Sequence, residues 1–169
     1  KILYLDSDLI VKGDISQLFA IDLGDALVGA CRDAALADEC DVNPHFPQSR
    51  YIRDILAIDP SQYFNAGVLM MNLDAMRKED FFASFLRESS RLVNPPLADQ
   101  DILNSLCKKR VHYFDEVWNA NAWLVDPHEE YPFYSYHSGT FIAWCREIRD
   151  TVKIIHYTGK KPWNMESMG

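Results

Sequence analysis

Several absences narrow the function before any motif is considered. The four cysteines, Cys31, Cys40, Cys107 and Cys145, include no CxxC pair, which excludes a zinc ribbon or a thioredoxin-type site. Four in 169 residues are also too few for a disulfide scaffold. We read them as reduced thiols and expect a cytoplasmic protein. No apolar run nears the ~18 residues of a membrane span; the longest, Ala66 to Met71, is six. No signal peptide is visible. Cations are scarce, 17 Lys plus Arg against 25 Asp plus Glu, for a formal net charge of −8. A general nucleic-acid binder needs the opposite balance to meet phosphates, so no nucleic-acid partner is expected. A small phosphorylated substrate held through a metal stays open, because carboxylates are good ligands for hard cations. Repeats, low-complexity stretches and interdomain linkers are missing too.

What remains is 48% hydrophobic, enough for a real core, and residues 1–169 are expected to form one domain. Apolar runs at Ile2–Leu5, Leu27–Ala30, Val68–Leu73, Val111–Phe114 and Val152–Ile155 read as strands, the longest as strands covered on both faces. Helical patterns fall between them: Ile15 to Ile21 after Asp14, Tyr51 to Ile58, a long helix from Asp74 to about Leu92, one opening at Asp99, and one from Ser138 through Ile148. Residues 34–50, with Pro44 and Pro47, read as a loop. Alternating strands and helices predict an α/β fold, with strands near residues 3, 28, 69 and 154 in one mixed sheet carrying helices on both faces. The chain opens on Lys1 and is already in an apolar strand at Ile2. We therefore expect a fragment, with earlier strands of the sheet missing and apolar surface exposed where they docked.

The sharpest chemical signal is Asp6-Ser7-Asp8 at the end of the first apolar run. Residues i and i+2 of an extended chain point the same way, so two carboxylates here can share one cation at a sheet edge. The plain alternative is a pair of turn carboxylates. His156 ends the last apolar run, and Gly159 and Lys160-Lys161-Pro162-Trp163 follow at once. A glycine turn lets backbone approach an anion and lysine adds charge, so a metal at the two aspartates, an imidazole and a lysine form a plausible diphosphate grip. Asp99-Gln100-Asp101 reads either as first-turn acids of a helix or as a carboxylate and an amide beside a sugar. Asn65-Ala66-Gly67 leads into a buried strand, where small residues permit close approach of a ligand. Asp33 closes the second strand. Trp118, Trp123, Tyr131, Phe133, Tyr134 and Tyr136 suggest a sugar-stacking surface, with aromatic core as the default for most.

Together these pieces resemble glycosyltransferase family 8, the retaining nucleotide-sugar transferases that include glycogenin and bacterial lipopolysaccharide galactosyl- and glucosyltransferases. The matching stretches are LYLDSDLIV, YFNAGVLMMNL, ADQDILN, the WN of EVWNANAW, and IIHYTGKKPW. They come in family order and run from residue 3 to residue 163. The resemblance implies a GT-A fold with a mixed, mostly parallel central sheet, and an N-terminal nucleotide-binding part preceding this chain. It implies Mn²⁺, with Mg²⁺ as the alternative ion. It also implies a UDP-sugar donor and a carbohydrate or glycolipid acceptor, lipopolysaccharide being the first candidate. Peripheral association with the inner face of a membrane is compatible with this, although no segment of the chain displays it. By position, Asp6, Asp8 and His156 would ligate the metal, with Asp6 and Ser7 also at the donor. Gly159 and Lys161 would face the diphosphate. Asn65, Ala66, Asp99 and Gln100 would line the donor sugar, with Asp33 holding its hydroxyls. Gln100 and Asp101 are the catalytic candidates for the sugar's β face.

Two rivals are weighed beside it. Haloacid dehalogenase-like phosphatases also place DxD after an apolar strand, the first Asp being a nucleophile. They want Thr or Val two residues after the second Asp, where Ile10 stands, and a late acidic Mg²⁺ motif that is not found. The other rival is a nucleotide- or carbohydrate-binding remnant that keeps the fold without catalysis. The metal reading makes a sharp geometric demand: ligand atoms of Asp6, Asp8 and His156, far apart in sequence, must lie within about 5 Å of one point.

Overall fold

The computed structural model describes residues 1–122, 137–158 and 161. Four strands, β1 (Ile2–Leu5), β3 (Val28–Arg32), β4 (Phe64–Met71) and β5 (Val111–Phe114), form the larger sheet in the order β1-β4-β3-β5. Three short strands, β2 (Leu9–Val11), β6 (Ala120–Asn121) and β7 (Ile154–His156), form a second sheet in the order β2-β7-β6. The strand near residue 154, expected in one sheet with those near residues 3, 28 and 69, therefore belongs to the second sheet instead. β1 is the outer strand, and its Ile2 and Tyr4 are 48% and 44% exposed.

Helices lie on both faces of the larger sheet, as expected. Val68 and Met70 of β4 pack with Leu18 of α1 (Ser16–Ala20), Phe114, Trp118 and Ile154. Leu69 faces the other way, onto Met76 of α4 (Leu73–Lys78), Phe81 and Phe85 of α5 (Phe81–Arg91) and Leu103 of α6 (Asp99–Cys107). Each of these fully buried β4 side chains contributes about 1.5–3 kcal/mol. All four cysteines are buried and free. No helix of the described residues is long and apolar enough to cross a membrane.

The sheet is mixed but not mostly parallel. β1 with β4, β3 with β4 and β2 with β7 are antiparallel; β3 with β5 and β6 with β7 are parallel. The reason is the excursion between β3 and β4. A helix between two strands usually signals a parallel crossover to the far end of the sheet. Here the chain leaves β3 at Arg32 and returns to β4 at Phe64, which pairs with Arg32, and the Asp33 N–H donates to the Tyr63 carbonyl at 2.9 Å. The helices come back to the edge they left. That excursion holds α2 (Ala34–Val42) and α3 (Pro47–Arg50) where a loop was expected. Asp33 caps α2, accepting from the Leu36 N–H at 3.3 Å, and Ala35 and Cys40 bury its inner face. The long helix expected from Asp74 is two, α4 capped by Asn72 and α5, parted at Asp80 with φ of +48°.

The topology sets up a site. β1 and β3 end, and antiparallel β4 begins, at one edge, which gathers Asp6, Asp33 and Asn65. A bulge sharpens it. Arg32 pairs with Phe64 while Ala30 pairs with Leu69, so residues 65–68 of β4 stand against the single residue Cys31 of β3. The bulge also swaps the faces: Phe64 and Ala66 share the core of Leu69, whereas Val68 faces the opposite one. Bulges re-aim side chains in this way beside functional sites.

Candidate metal and donor site

Asp6 leaves β1 with its N–H on the Gly67 carbonyl at 2.9 Å. Leu9, the first residue of β2, pairs with His156, the last of β7, which carries Asp8 alongside the imidazole. His156 Nε2 lies 3.5 Å from Asp6 Oδ2 and 3.3 Å from Asp8 Oδ1. One ligand atom from each of the three residues falls within 4.8 Å of the others. At ligand distances of ~2.2 Å, cis ligands of an octahedral ion sit about 3.1 Å apart and trans ligands about 4.4 Å. Two carboxylate oxygens and an imidazole nitrogen at these separations fit a hard or borderline divalent cation, and Mn²⁺ accepts both donor types.

The electrostatics agree. Burial pushes the His156 imidazole below its ordinary value, against the pull of Asp8 and Asp6, which favours the neutral ring that a metal requires. Burial pushes the Asp8 carboxyl up, but the bond from Lys161 and its positive charge help to outweigh it, and the group is held below its usual range. The Lys161 ammonium pairs with Asp8 Oδ2 and donates to the Tyr157 carbonyl. The Tyr4 hydroxyl donates to Asp6 Oδ1 at 2.7 Å, and that bond, followed by burial, pushes the phenol up to about 12. Sequence reasoning missed Tyr4. It stands two residues before Asp6 on the same strand, so the pairing was legible from strand alternation.

Beside the triad lies a polar network. Asp33 Oδ2 accepts from Asn65 Nδ2 at 3.3 Å and from Gln100 Nε2 at 3.4 Å. Burial raises the Asp33 carboxyl, opposed by the bonds from Leu36, Asn65 and Gln100. Gln100 Oε1 accepts from the Ala66 N–H at 2.9 Å, so this side chain ties α6 to the bulge. Asp33, Asn65, Ala66 and Gln100 are thus brought together next to the three candidate ligands. Ser7 is exposed between the two aspartates. Asp99 is exposed on the far side of Ala66, where both residues and Tyr4 rim a largely apolar groove of about 570 Å³.

Two expectations change. Asp101 does not face a sugar. It is fully buried, with Oδ1 accepting from the Tyr63 hydroxyl at 2.6 Å and Oδ2 from the Leu97 N–H at 2.8 Å. It holds the turn that starts α6, and both oxygens are taken. Tyr63→Phe should strip one of them of its donor and cost about 1–3 kcal/mol in urea unfolding, with metal affinity unchanged. Trp118 is core, the default expected of it, 6% exposed and with the Lys153 ammonium 4.4 Å above its ring. The close approach permitted by Gly67 is that of the protein's own imidazole: a Cβ there would meet His156 Cε1 at 2.2 Å. Gly159, Lys160, Pro162, Trp163, Trp123, Tyr131, Phe133, Tyr134 and Tyr136 lie outside the described residues.

Known proteins resemble the chain over nearly its whole length. GlyB, a glycosyltransferase of Streptococcus pneumoniae, is 30% identical over 99% of the chain. The lipopolysaccharide 1,2-glucosyltransferase of Escherichia coli K12 is 27% identical over 97%. The crystal structure of the galactosyltransferase LgtC, in complex with donor and acceptor sugar analogs, superposes on 97% of the chain with a TM-score of 0.65 and 28% identity. The chain spans 35% of the first relative, 44% of the second and 55% of the third. Its fold is of the GT-A type seen in those transferases, and the phosphatase alternative falls. Residues 1–167 match the profile described as "Glycosyl transferase family 8", and the chain belongs to that family.

Proposed function

We propose that the protein carrying this chain transfers a hexosyl group from a UDP-sugar to a carbohydrate acceptor, of the lipopolysaccharide kind, with retention of configuration and with help from Mn²⁺. The observation that carries the reading is the convergence of Asp6, Asp8 and His156 from the ends of different strands. When bound, the cation supplies Lewis-acid neutralisation of the charge that develops on the departing diphosphate. The chain's own residues do the rest. Asp6 and Asp8 would hold the cation from the end of β1, and neutral His156 would complete the set. Lys161, already at Asp8, offers a second positive charge to the diphosphate. Asp33, Asn65 and Gln100 present a hydrogen-bonded polar wall against which sugar hydroxyls can be oriented. Such preorganised charge is where most of the rate enhancement of a transferase of this kind would reside.

The direct experiment is UDP release from UDP-glucose and UDP-galactose by the full-length protein, with and without Mn²⁺. Turnover that needs the metal is expected. Absence of turnover alongside tight UDP–Mn²⁺ binding would point instead to a binding remnant. A second measurement separates the sugar wall from the metal grip. Gln100→Ala should leave UDP affinity nearly unchanged while turnover falls at least ~10-fold, about 1.4 kcal/mol of transition-state stabilisation. Equal losses in both would show that Gln100 serves the nucleotide and not the sugar.

A further inference from the structure

Asn119 has no place in the reading above, yet it touches the imidazole. It sits 7% exposed just before β6, its Oδ1 2.9 Å from His156 Nδ1 and its Nδ2 2.9 Å from Asn65 Oδ1. Amide orientations and imidazole tautomers are normally ambiguous, but here a backbone group settles them. The Gly67 N–H, 2.9 Å from the Asn65 side chain, can only donate. The atom it meets is therefore Asn65 Oδ1, which leaves Asn65 Nδ2 to donate to Asp33. Because Asn65 Oδ1 is an acceptor, the Asn119 atom facing it is the amide nitrogen. The opposite atom of Asn119, its carbonyl oxygen, must then face His156 Nδ1. A carbonyl oxygen has no proton to give, so Nδ1 carries the hydrogen. In the neutral ring the lone pair is then on Nε2, the atom that looks at Asp6 and Asp8.

We propose that Asn119 is a positioning residue that locks His156 in the Nδ1–H tautomer and so presents the Nε2 lone pair to the cation. The orientation begins at the bulge and passes through Asn65 and Asn119 to His156. Metal-ligating histidines commonly donate their second ring N–H to a fixed acceptor, and loss of such a partner typically lowers metal affinity about 10–100-fold. The proposal rests on the metal reading above, but its first part concerns the metal-free ring and can be tested without it.

The test uses the full-length protein with ¹⁵N-labelled histidine. In the metal-free wild type, the two-bond nitrogen–proton pattern of His156 should show a protonated Nδ1, the atom that faces the Asn119 carbonyl oxygen. In Asn119→Ala that pattern should shift toward the mixture or the opposite tautomer. Mn²⁺ affinity, read by titration calorimetry, should fall about 10–100-fold. Asn119→Asp keeps an acceptor for the Nδ1 hydrogen and should restore the tautomer and much of the affinity. A merely structural role would not predict that rescue. A wild-type ring with a bare Nδ1 overturns the proposal, as does Asn119→Ala with undiminished Mn²⁺ affinity. If Asn119→Ala does not fold, the wild-type tautomer and the Asn119→Asp titration still decide. Failure of the underlying reading looks different: an Nδ1–H ring in a protein that takes up no Mn²⁺ removes the metal site, and with it the metal-presenting role, while the tautomer assignment stands.

Discussion

Asp8→Asn in the full-length protein is expected to cut Mn²⁺-dependent transfer by at least ~10²-fold, the scale of one lost preorganised electrostatic contact of about 3 kcal/mol. The substitution keeps the size of the side chain and removes its charge. Two partners feel that loss. His156 Nε2 is 3.3 Å from Asp8 Oδ1, and the Lys161 ammonium pairs with Oδ2. A neutral amide can ligate through its oxygen only weakly, and one of its two positions would now point an N–H₂ group at either the cation or the lysine. Mn²⁺ titration of the variant should show weakened uptake in step with the activity. The fold should be little changed, since Asp8 is not in the core and its backbone carbonyl still accepts from the Tyr157 N–H at 3.0 Å. Retained Mn²⁺-dependent turnover in Asp8→Asn would put the metal site elsewhere and sink the central reading.

The two carboxylates and the histidine were legible because each stands at the end of an apolar run, and in an α/β fold strand ends collect at an edge. What the sequence did not show was why the edges coincide. The direction of β4 depends on a return of the chain to Arg32, and nothing in the composition of residues 34–63 distinguishes a return from a crossover. The same segment holds α2, where Pro44 and Pro47 give a loop signal only after the alanine-rich run behind Asp33, which makes good helix once capped. Local signals of this kind were readable in principle; the direction of a neighbouring strand was not.

Side-chain roles divide in the same way. Gln100 and Asp101 are adjacent in sequence, but the helix turns them to different surroundings. Gln100 reaches the Ala66 N–H and Asp33, whereas Asp101 is enclosed by Tyr63 and the Leu97 backbone. A helix separates consecutive side chains by roughly 100°, so a motif of three polar residues at a helix start cannot all serve one ligand. The task of Asn119 is invisible in its own stretch of sequence, since it depends on an imidazole 37 residues away. An isolated glycine in a strand does signal a bulge or a close backbone approach, and Gly67 proved to mark both.

That glycine supports the second large effect. Gly67→Ala should abolish measurable Mn²⁺ binding or weaken it by at least ~10²-fold, comparable to losing a ligand outright. An added Cβ would lie 2.2 Å from His156 Cε1, 2.6 Å from Nδ1 and 3.0 Å from Nε2, so something must move. The backbone of Gly67 resists, because its N–H is held by Asn65 Oδ1 and its carbonyl by the Asp6 N–H, both at 2.9 Å. The ring is the softer partner, although it is 3% exposed and tied to Asn119, so its displacement breaks a buried hydrogen bond and takes Nε2 away from the two aspartates. Overpacking of this kind also costs about 1–3 kcal/mol of stability, which alone could weaken binding indirectly. Gly29→Ala supplies the control. Its Cβ would meet Phe114 Cζ at 2.3 Å and Leu23 Cδ2 at 2.9 Å, a clash of the same severity within the apolar core. Both variants should unfold at lower urea concentration than wild type. Only Gly67→Ala should lose the cation, because only there does the methyl group occupy the space of the imidazole. If Gly29→Ala loses Mn²⁺ as badly, the effect is general destabilisation; if Gly67→Ala binds Mn²⁺ as wild type does, His156 is not a ligand.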